Sequence, residues 1–490
     1  MKISYAKIKE KSSVLFNSKL FILFLGLLGT LILANQCSLS LFDFEYSKTD
    51  SSVFRYFAFA ISKGQIPYVD LFDHKGPLLY LINYLGFLIN NNYSVWLIEW
   101  IFIFSTLYFI YLTAKLLCNK LFSVITVIIS MCYLPTYLEG GNLVEEYAMP
   151  FIALSIYIFT DYFLNKKITL FRLLVCGISG GCVLMLRPNM TATWFIFPLF
   201  VAIYELKQKN IKVLIKYICF FVFGVLISVI PFFLYFASVG GLKEFFFAYI
   251  TFNLKYASVD GSKNGIIQSI NTFITPMVIL SVVVTLYSIC KKENTLFNLS
   301  YLLYILLSLY TIGMSGKTYP HYGMVLIPAF SYTVAFIMSK FKYSSFEKIS
   351  IISTVAIVLF VSFHSPFVEL VNNITKKEQF VRSKYLDAVT EYIKTNTKKD
   401  DRIIVIGNKN IIYVETERLS ASKYSYQHPI VNASQDILDD FYNELKKEKP
   451  EMIVIPTEHK NFSGINDFIE KNNYTEVFKN WSHTVFQLKK

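Results

Sequence analysis

The sequence predicts an all-α polytopic membrane domain, residues 1–367, followed by a small soluble α/β domain, residues 368–490. Of the 490 residues, 54% are hydrophobic and only 17% are charged, against roughly 25% charged in an ordinary soluble domain. Apolar runs long enough to cross a hydrocarbon core of roughly 30 Å recur between Phe21 and Phe367. After Val368 the chain becomes polar and rich in Lys, Asp and Glu, which predicts a modest globular core.

The membrane domain is predicted to contain eleven spanning helices. Residues 33–37 make a poor cleavage or lipidation site, so we expect the first apolar stretch to be an uncleaved helix. The seven cysteines lie in or beside apolar segments, which indicates neither a disulfide framework nor a thiolate metal site. The predicted spans are 20–37, 93–115, 121–138, 147–164, 171–187, 190–205, 213–236, 266–289, 297–313, 322–339 and 347–366.

One short apolar segment sets the predicted topology. Residues 78–89 would form a helix of about 18 Å, too short to cross, so we place it in the outer interface. The basic loops then collect on one side, which the positive-inside rule assigns to the cytoplasm. These loops contain Lys115 and Lys120, Lys166, Lys167 and Arg172, Lys207 to Lys216, Lys291 and Lys292, and Lys340 to Lys348. We therefore predict a multi-pass protein of the cytoplasmic membrane with its N-terminus inside and its C-terminal domain outside. Lysines at helix ends explain the net charge of +13 better than nucleic-acid binding does.

The first outer loop, residues 38–92, is predicted to hold two amphipathic helices against the outer membrane face. Apolar residues recur at helical spacing from Asp50 to Lys63, and Gly64 follows as a stop signal. A second helix begins at Pro77, a residue suited to a first helical turn.

The C-terminal domain is predicted to be α/β. A helix over 376–397 precedes an apolar strand over 403–407, and a helix over 436–448 precedes a second strand over 452–455. Gly407 alone after a strand is too weak a signal for nucleotide binding.

Polar residues gather at the predicted outer helix ends, which favours a single extracytoplasmic site. They are Asp50, Asp70, Asp73, His74, Lys75, Glu145, Glu146, Arg187, Asn189, Lys317 and His321. The helix interiors carry almost no charge, since Glu99 and Asp161 lie toward helix ends, which argues against a proton- or ion-coupled transporter. Cations with carboxylates suit transfer of a group from a lipid phosphate. Lys and Arg would bind the phosphate, and a carboxylate would deprotonate the acceptor hydroxyl.

The loop motif Pro67-Tyr68-Val69-Asp70-Leu71-Phe72-Asp73-His74-Lys75-Gly76-Pro77, preceded by Asp50, resembles the first outer loop of C-type glycosyltransferases. This family includes protein O-mannosyltransferases and the lipid A aminoarabinose transferase. Glu145-Glu146-Tyr147 and Pro320-His321-Tyr322 extend the resemblance over most of residues 1–366, but not into the tail.

The resemblance implies an inverting transferase that takes a sugar from a polyprenyl-phosphate donor and gives it to an extracytoplasmic acceptor. It places the catalytic base at Asp50, although Ser51 stands where the family usually has a second acid. It places a lysine that contacts the lipid phosphate at Lys75, with Gly76 in place of the first of two prolines. We assign Arg187, Lys317 and His321 as further phosphate ligands. Donor sugar or metal orientation is assigned to Asp73, His74, Glu145 and Glu146.

Other interpretations of these residues stay open. Asp50 could cap its helix, Lys75 and Arg187 could snorkel to headgroups, and Glu145 or Glu146 could serve a helix dipole. Asp73 and His74 could bind a divalent cation with an acid at 145 or 146, but no ligand spacing is diagnostic. The rival functions are a lipid-linked saccharide flippase or other transporter, and a non-catalytic envelope scaffold whose tail binds cell-wall partners.

Overall fold

The computed structural model describes residues 49–90, 94–255, 263–340, 384–428, 430–431 and 434–489, with a few isolated positions between 23 and 29. The predicted span 347–366 and nearly all of 20–37 lie outside the described residues. The chain divides into two compact units. The first unit comprises Met1–Cys37, Leu97–Pro231 and Asp260–Asn372, and the second comprises Ser38–Trp96, Phe232–Val259 and Asn373–Lys490. The predicted first outer loop thus belongs to the same unit as the tail.

Helices form most of both units. In chain order they are α1 (Thr49–Ser62), α2 (Pro77–Ile89), α3 (Ser94–Leu117), α4 (Lys120–Tyr133), α5 (Val144–Asn165), α6 (Leu170–Leu184), α7 (Ala192–Lys207), α8 (Ile211–Ser238), α9 (Leu242–Phe246), α10 (Lys263–Phe273), α11 (Pro276–Cys290), α12 (Thr295–Gly313), α13 (Ile327–Ser339), α14 (Lys384–Asn396), α15 (Ile411–Thr416), α16 (Gln435–Glu448) and α17 (Ile465–Lys471). A 3₁₀ helix, Pro320–Leu326, leads directly into α13.

The chain is a multi-pass membrane protein. Within the described ranges, five helices are long and apolar enough to cross a membrane: α3, α5, α8, α12 and the combined Pro320–Ser339. The bent pair α10–α11 would make a sixth if it counts as one span. The predicted count of eleven is not reached in the described residues.

The helices α4 and α6 begin where polar caps satisfy free backbone N–H groups. Asn119 accepts a hydrogen bond from Phe122 N at 3.1 Å, and Thr169 accepts one from Arg172 N at 3.3 Å.

The predicted span 266–289 is bent in the structure. Its two halves meet at an angle of 78°, between Phe273 and Pro276. The cause is Pro276, which has no N–H for an earlier carbonyl and disfavours helical geometry in the residue before it. Thr275 is accordingly extended, with ψ at 164°.

The first unit has a buried core where α3, α4, α5 and α13 meet. It includes Ile103, Leu107, Val124, Ile128, Met131, Met149, Ala153 and Ile327. Elsewhere the backbones of α6 and α8 approach each other closely. A Cβ added to Gly177 would lie 2.0 Å from the Phe221 carbonyl oxygen, and one added to Gly224 would lie 2.2 Å from the Leu174 carbonyl oxygen. Small residues allow such close approach of membrane helices, whose association depends on packing.

In the second unit, α1 and α2 pack through aromatic rings, such as Phe57 against Tyr80 with centroids 5.2 Å apart. The outward side chains of α2 are apolar, and Ile89 is 74% exposed. This face supports the predicted interfacial position of α2.

The tail of the second unit is the predicted α/β fold with additional elements. Its four strands are β1 (Ile403–Val405), β2 (Met452–Pro456), β3 (Tyr474–Lys479) and β4 (His483–Leu488), in the order β1-β2-β4-β3. The strands β1 and β2 are parallel with Ile404 opposite Ile453, and the other pairs are antiparallel. The elements β1, β2, α14 and α16 were predicted from the sequence, but the β3–β4 hairpin was not; half of the residues in its edge strand β3 are polar.

The tail and the first outer loop share one core. The Tyr56 ring lies 4.6 Å from the Tyr413 ring, and its hydroxyl accepts a hydrogen bond from Ser420 N at 2.9 Å. The backbone N–H of Phe72 donates to the Lys423 carbonyl oxygen at 2.8 Å. The tail is therefore packed against the loop that carries the predicted base and phosphate ligand.

Candidate functional site

Asp50 lies in the first turn of α1 and is exposed. An exposed carboxylate is available to an acceptor, yet a carboxylate in a first turn also interacts favourably with the helix dipole. Both roles therefore stay open. Ser51, which stands where the resembling family has a second acid, is buried, and so is Ser52.

Hydrogen bonds among its own polar groups stabilise the loop between α1 and α2. Asp70 accepts a hydrogen bond from Ile66 N at 2.8 Å, and Tyr68 N donates to the Leu71 carbonyl oxygen at 2.8 Å. The Tyr68 hydroxyl donates to the Lys75 carbonyl oxygen at 2.7 Å. These bonds give the loop a fixed course before it reaches residues 73–75, and they give Asp70 a structural role.

Asp73 is the centre of this loop and is fully buried. Its carboxylate accepts hydrogen bonds from the Tyr426 hydroxyl at 2.5 Å, the Tyr80 hydroxyl at 2.9 Å and His74 N at 2.6 Å. Burial raises the pKa of Asp73, but Lys75, His74 and the Tyr426 hydroxyl outweigh it and hold the pKa below its ordinary value. The buried position favours a positioning role for Asp73 over the predicted direct contact with a sugar or metal.

Lys75 and His74 are held by this carboxylate. Lys75 Nζ lies 3.8 Å and His74 Nδ1 3.3 Å from Asp73 Oδ1, and Lys75 Nζ lies 3.4 Å from His74 Nε2. Only 18% of the Lys75 side chain is exposed. Asn253 donates to the His74 carbonyl oxygen at 2.7 Å. An ammonium held between an acid and an imidazole is not free to extend to headgroups, which disfavours snorkelling.

The first unit holds a second charged group, around Arg187. Arg187 donates to Glu145 at 2.5 Å and to the Tyr322 hydroxyl at 2.8 Å, and its guanidinium lies 4.2 Å from the centre of the Tyr322 ring. A guanidinium stays protonated in proteins. The guanidinium is therefore a fixed positive charge.

His321 and Lys317 lie on the segment before α13. The His321 ring contacts Glu139 at 2.5 Å, and the Lys317 carbonyl oxygen accepts from the Ser269 hydroxyl. Burial raises the pKa of Glu139, but the contacts with His321 outweigh burial and hold this pKa below its ordinary value. Glu139 was not among the residues predicted from the sequence. The signal that could have identified it is a charge in a turn, directly before Gly140 and Gly141.

Glu146 is fully buried beside Glu99, which is 1% exposed. Asn142 N donates to Glu99, and the Tyr147 hydroxyl donates to the Asn142 side chain at 2.8 Å. Two neighbouring carboxyl groups away from water cannot both be ionised at low cost. This arrangement favours a structural role for Glu146, and its partner Glu99 was not among the predicted site residues.

The structure thus places the predicted residues in two groups. Asp50, Asp73, His74 and Lys75 belong to the second unit, and Glu145, Glu146, Arg187, Lys317 and His321 to the first. The prediction of one common site stays a prediction. Among the residues that the structure describes, no three His, Cys, Asp or Glu side chains are arranged to hold a metal ion, so no step is assigned to one.

Two family models match the chain. The model described as "Putative competence-induced protein Ccs4 N-terminal domain" matches residues 7–355, and the corresponding C-terminal domain model matches residues 384–489. No curated protein matches the chain in sequence.

Solved structures resemble it along most of its length. ArnT from Cupriavidus metallidurans bound to undecaprenyl phosphate superposes with a TM-score of 0.63 at 10% identity, covering 95% of this chain and 97% of that one. The Archaeoglobus fulgidus oligosaccharyltransferase tethered to an acceptor peptide gives a TM-score of 0.50 at 11% identity, covering 96% and 74%. The same organism's AglB, in complex with an inhibitory peptide and a dolichol-phosphate, gives 0.50 at 12% identity, covering 90% and 70%. The chain shares its fold with these ArnT and oligosaccharyltransferase structures, which confirms the predicted resemblance at the level of the fold.

Proposed function

The chain belongs to this Ccs4 family, and we propose that it is a membrane glycosyltransferase that moves a sugar from a polyprenyl-phosphate carrier to an acceptor outside the cytoplasm. One observation carries the proposal: Lys75 is held by a buried carboxylate on the first outer loop of a C-type glycosyltransferase fold. The solved relatives in complex with undecaprenyl phosphate or dolichol-phosphate support the choice of carrier.

Lys75 is the proposed ligand of the donor phosphate. Its ammonium has three N–H donors, and the contact with Asp73 is long, at 3.8 Å. A phosphate oxygen can accept a hydrogen bond from such an ammonium. The mostly buried side chain would strengthen that contact, since water screens it less.

The proposed reaction is a single displacement at the anomeric carbon of the sugar. The acceptor hydroxyl oxygen forms the new bond to this carbon while the bond to the phosphate oxygen breaks, and the polyprenyl phosphate leaves with the bonding electrons. Asp50 takes the proton of the acceptor hydroxyl, because a neutral hydroxyl is a poor nucleophile. Lys75 stabilises the negative charge that develops on the leaving phosphate. The displacement inverts the configuration of the sugar.

Arg187 is a further proposed phosphate ligand, to be tested independently. A guanidinium has five N–H donors, and Glu145 and Tyr322 each engage one of them at a short distance. The proposed role of Glu145 is to hold Arg187 in place. Lys317 and His321 are weaker candidates, since His321 already contacts Glu139.

Cells that lack the protein provide the direct test. We expect them to accumulate a polyprenyl-phosphate sugar in their lipid extract and to lose one sugar from a surface glycan, lipid or protein. The purified protein, given that extract and envelope material from the mutant cells, should restore the sugar. A flippase would also cause accumulation, but the purified protein would then transfer nothing. A scaffold would still support product formation when Asp50 and Lys75 are replaced.

A further inference from the structure

The C-terminal domain reaches into the loop that carries Lys75. We propose that Tyr426 is a positioning residue of the donor-phosphate site: its hydroxyl fixes Asp73, and Asp73 fixes Lys75 and His74. The inference rests on the proposed function for the meaning of Lys75. It assigns the tail to the donor site, a role for which no motif in the tail provides a signal.

Asp73 depends on its hydroxyl partners. A carboxylate with no exposed surface is costly unless donors and cations replace its water. Tyr426 donates to Oδ1, Tyr80 donates to Oδ2, and His74 N donates to Oδ1. Oδ1 is also the atom nearest to Lys75 Nζ and His74 Nδ1. The oxygen that Tyr426 fixes is therefore the one that contacts both Lys75 and His74.

Tyr426 is itself held from two sides. Gln427 next to it accepts from Gly407 N at 2.7 Å and donates to the Tyr424 carbonyl oxygen at 2.8 Å, which fastens the segment to the end of β1. On the other side, Phe72 N donates to the Lys423 carbonyl oxygen, and the Phe72 and Tyr424 rings lie 5.1 Å apart. The hydroxyl is thus presented to Asp73 by the folded tail.

The purified full-length protein with the substitution Tyr426→Phe tests this inference, with undecaprenyl phosphate as the probe. We expect the affinity for undecaprenyl phosphate to fall about 10-fold, the usual effect of losing a hydrogen bond to a charged group. Since the Tyr426 hydroxyl lowers the pKa of Asp73, its removal should raise that pKa. Loss of binding on acidification should therefore begin at a higher pH than in the wild type.

Tyr424→Phe is the matched control. The Tyr424 hydroxyl donates to Asp440 at 2.9 Å, within the tail, so its loss removes a comparable bond without affecting Asp73. We expect this variant to bind undecaprenyl phosphate like the wild type even if its melting temperature falls. Equal loss of binding in both variants would mean that the hydroxyls serve the stability of the tail alone, and it would overturn the inference.

A second measurement does not use the donor. The rate at which an amine reagent modifies Lys75, followed by mass spectrometry, should rise in Tyr426→Phe and stay unchanged in Tyr424→Phe. If the wild type fails to bind undecaprenyl phosphate while the Lys75 rate still responds to Tyr426, the proposed function fails and the positioning role survives. If binding and the Lys75 rate are both unchanged in Tyr426→Phe, the positioning role fails.

Discussion

Lys75 and Arg187 both contact a carboxylate, but at different distances. The Arg187 pair with Glu145 is short, at 2.5 Å, and Tyr322 engages the same guanidinium. Lys75 stands 3.8 Å from Asp73, and it lies in the loop motif that resembles the first outer loop of C-type glycosyltransferases. We therefore rank Lys75 as the principal phosphate ligand, although the two residue types look alike in the sequence.

The first prediction concerns the charge of Lys75. Replacement with Ala should weaken undecaprenyl phosphate binding by about 1.5–3 kcal/mol, the range for a hydrogen bond to a charged group. Lys75→Arg should retain part of the affinity, because the charge is kept but the geometry changes. Lys63→Ala is a suitable control, since it removes one exposed lysine that follows α1 in the same predicted outer loop. A Lys75→Ala protein with the wild-type titration curve would exclude Lys75 as a phosphate ligand.

The second prediction separates the two roles of Asp50. Asp50→Asn keeps a side chain that suits a helix start, so α1 and the melting temperature should be preserved. Asn cannot accept the acceptor proton, so transfer should fall by roughly 10²–10⁴-fold while undecaprenyl phosphate binding persists. Initial transfer rates and binding titrations on one purified sample provide both readouts. A near-normal rate would leave Asp50 with a helix-end role only, and the acids Asp73 and Glu145 would be tested next.

Sequence reasoning identified the charged residues of the candidate site better than their partners. Lys75 was identified by its place in the motif that resembles C-type glycosyltransferases, and Arg187 by its position at a predicted outer helix end. The Tyr426 hydroxyl, which helps to hold Asp73 in place, had no signal in the sequence, since the chain has 34 tyrosines and aromatic residues are ordinary in membrane proteins. Pairing between residues distant in sequence is a product of the fold.

At the scale of elements, the clearest packing constraint is the contact between α6 and α8. Gly177→Leu should lower the melting temperature and the yield of folded protein, because a side chain there meets the Phe221 carbonyl oxygen. Phe171→Ala on the same helix is the control, since Phe171 is 71% exposed and its loss should leave the melting temperature nearly unchanged. Equal melting temperatures for Gly177→Leu and the wild type would mean that α6 and α8 do not approach this closely.

At the scale of the whole molecule, the topology is the testable property. With the cytoplasmic side set by the lysine clusters, residues 207–212 should face inside and the tail outside. Single cysteines introduced into a chain without its seven natural ones should react with an impermeant reagent in intact cells when placed in the tail. Those placed in 207–212 should react after permeabilisation. The reverse pattern would require the short helix α2 to cross the membrane.

The hydrophobic pattern was sufficient to predict a membrane domain and a small α/β tail, because long apolar runs and short strands have distinct periods. It was insufficient for the bend at Pro276, because residues 266–289 carry no charge and were predicted as one span. The pattern also predicted the tail and the outer loop as parts of different domains, although the two share a core through Tyr56 and Tyr413. Docking of this kind depends on surfaces that exist only after each part has folded.

The hydrogen bond between Asp73 and Tyr426 joins residues 353 positions apart. Because a ribosome adds residues from the N-terminus onward, Asp73 has been made, and much of the membrane domain with it, long before Tyr426 exists. A nascent or prematurely terminated chain therefore lacks the contact that orders Lys75. On the proposed role of Tyr426, an unfinished chain would therefore bind the proposed lipid donor more weakly than the finished one.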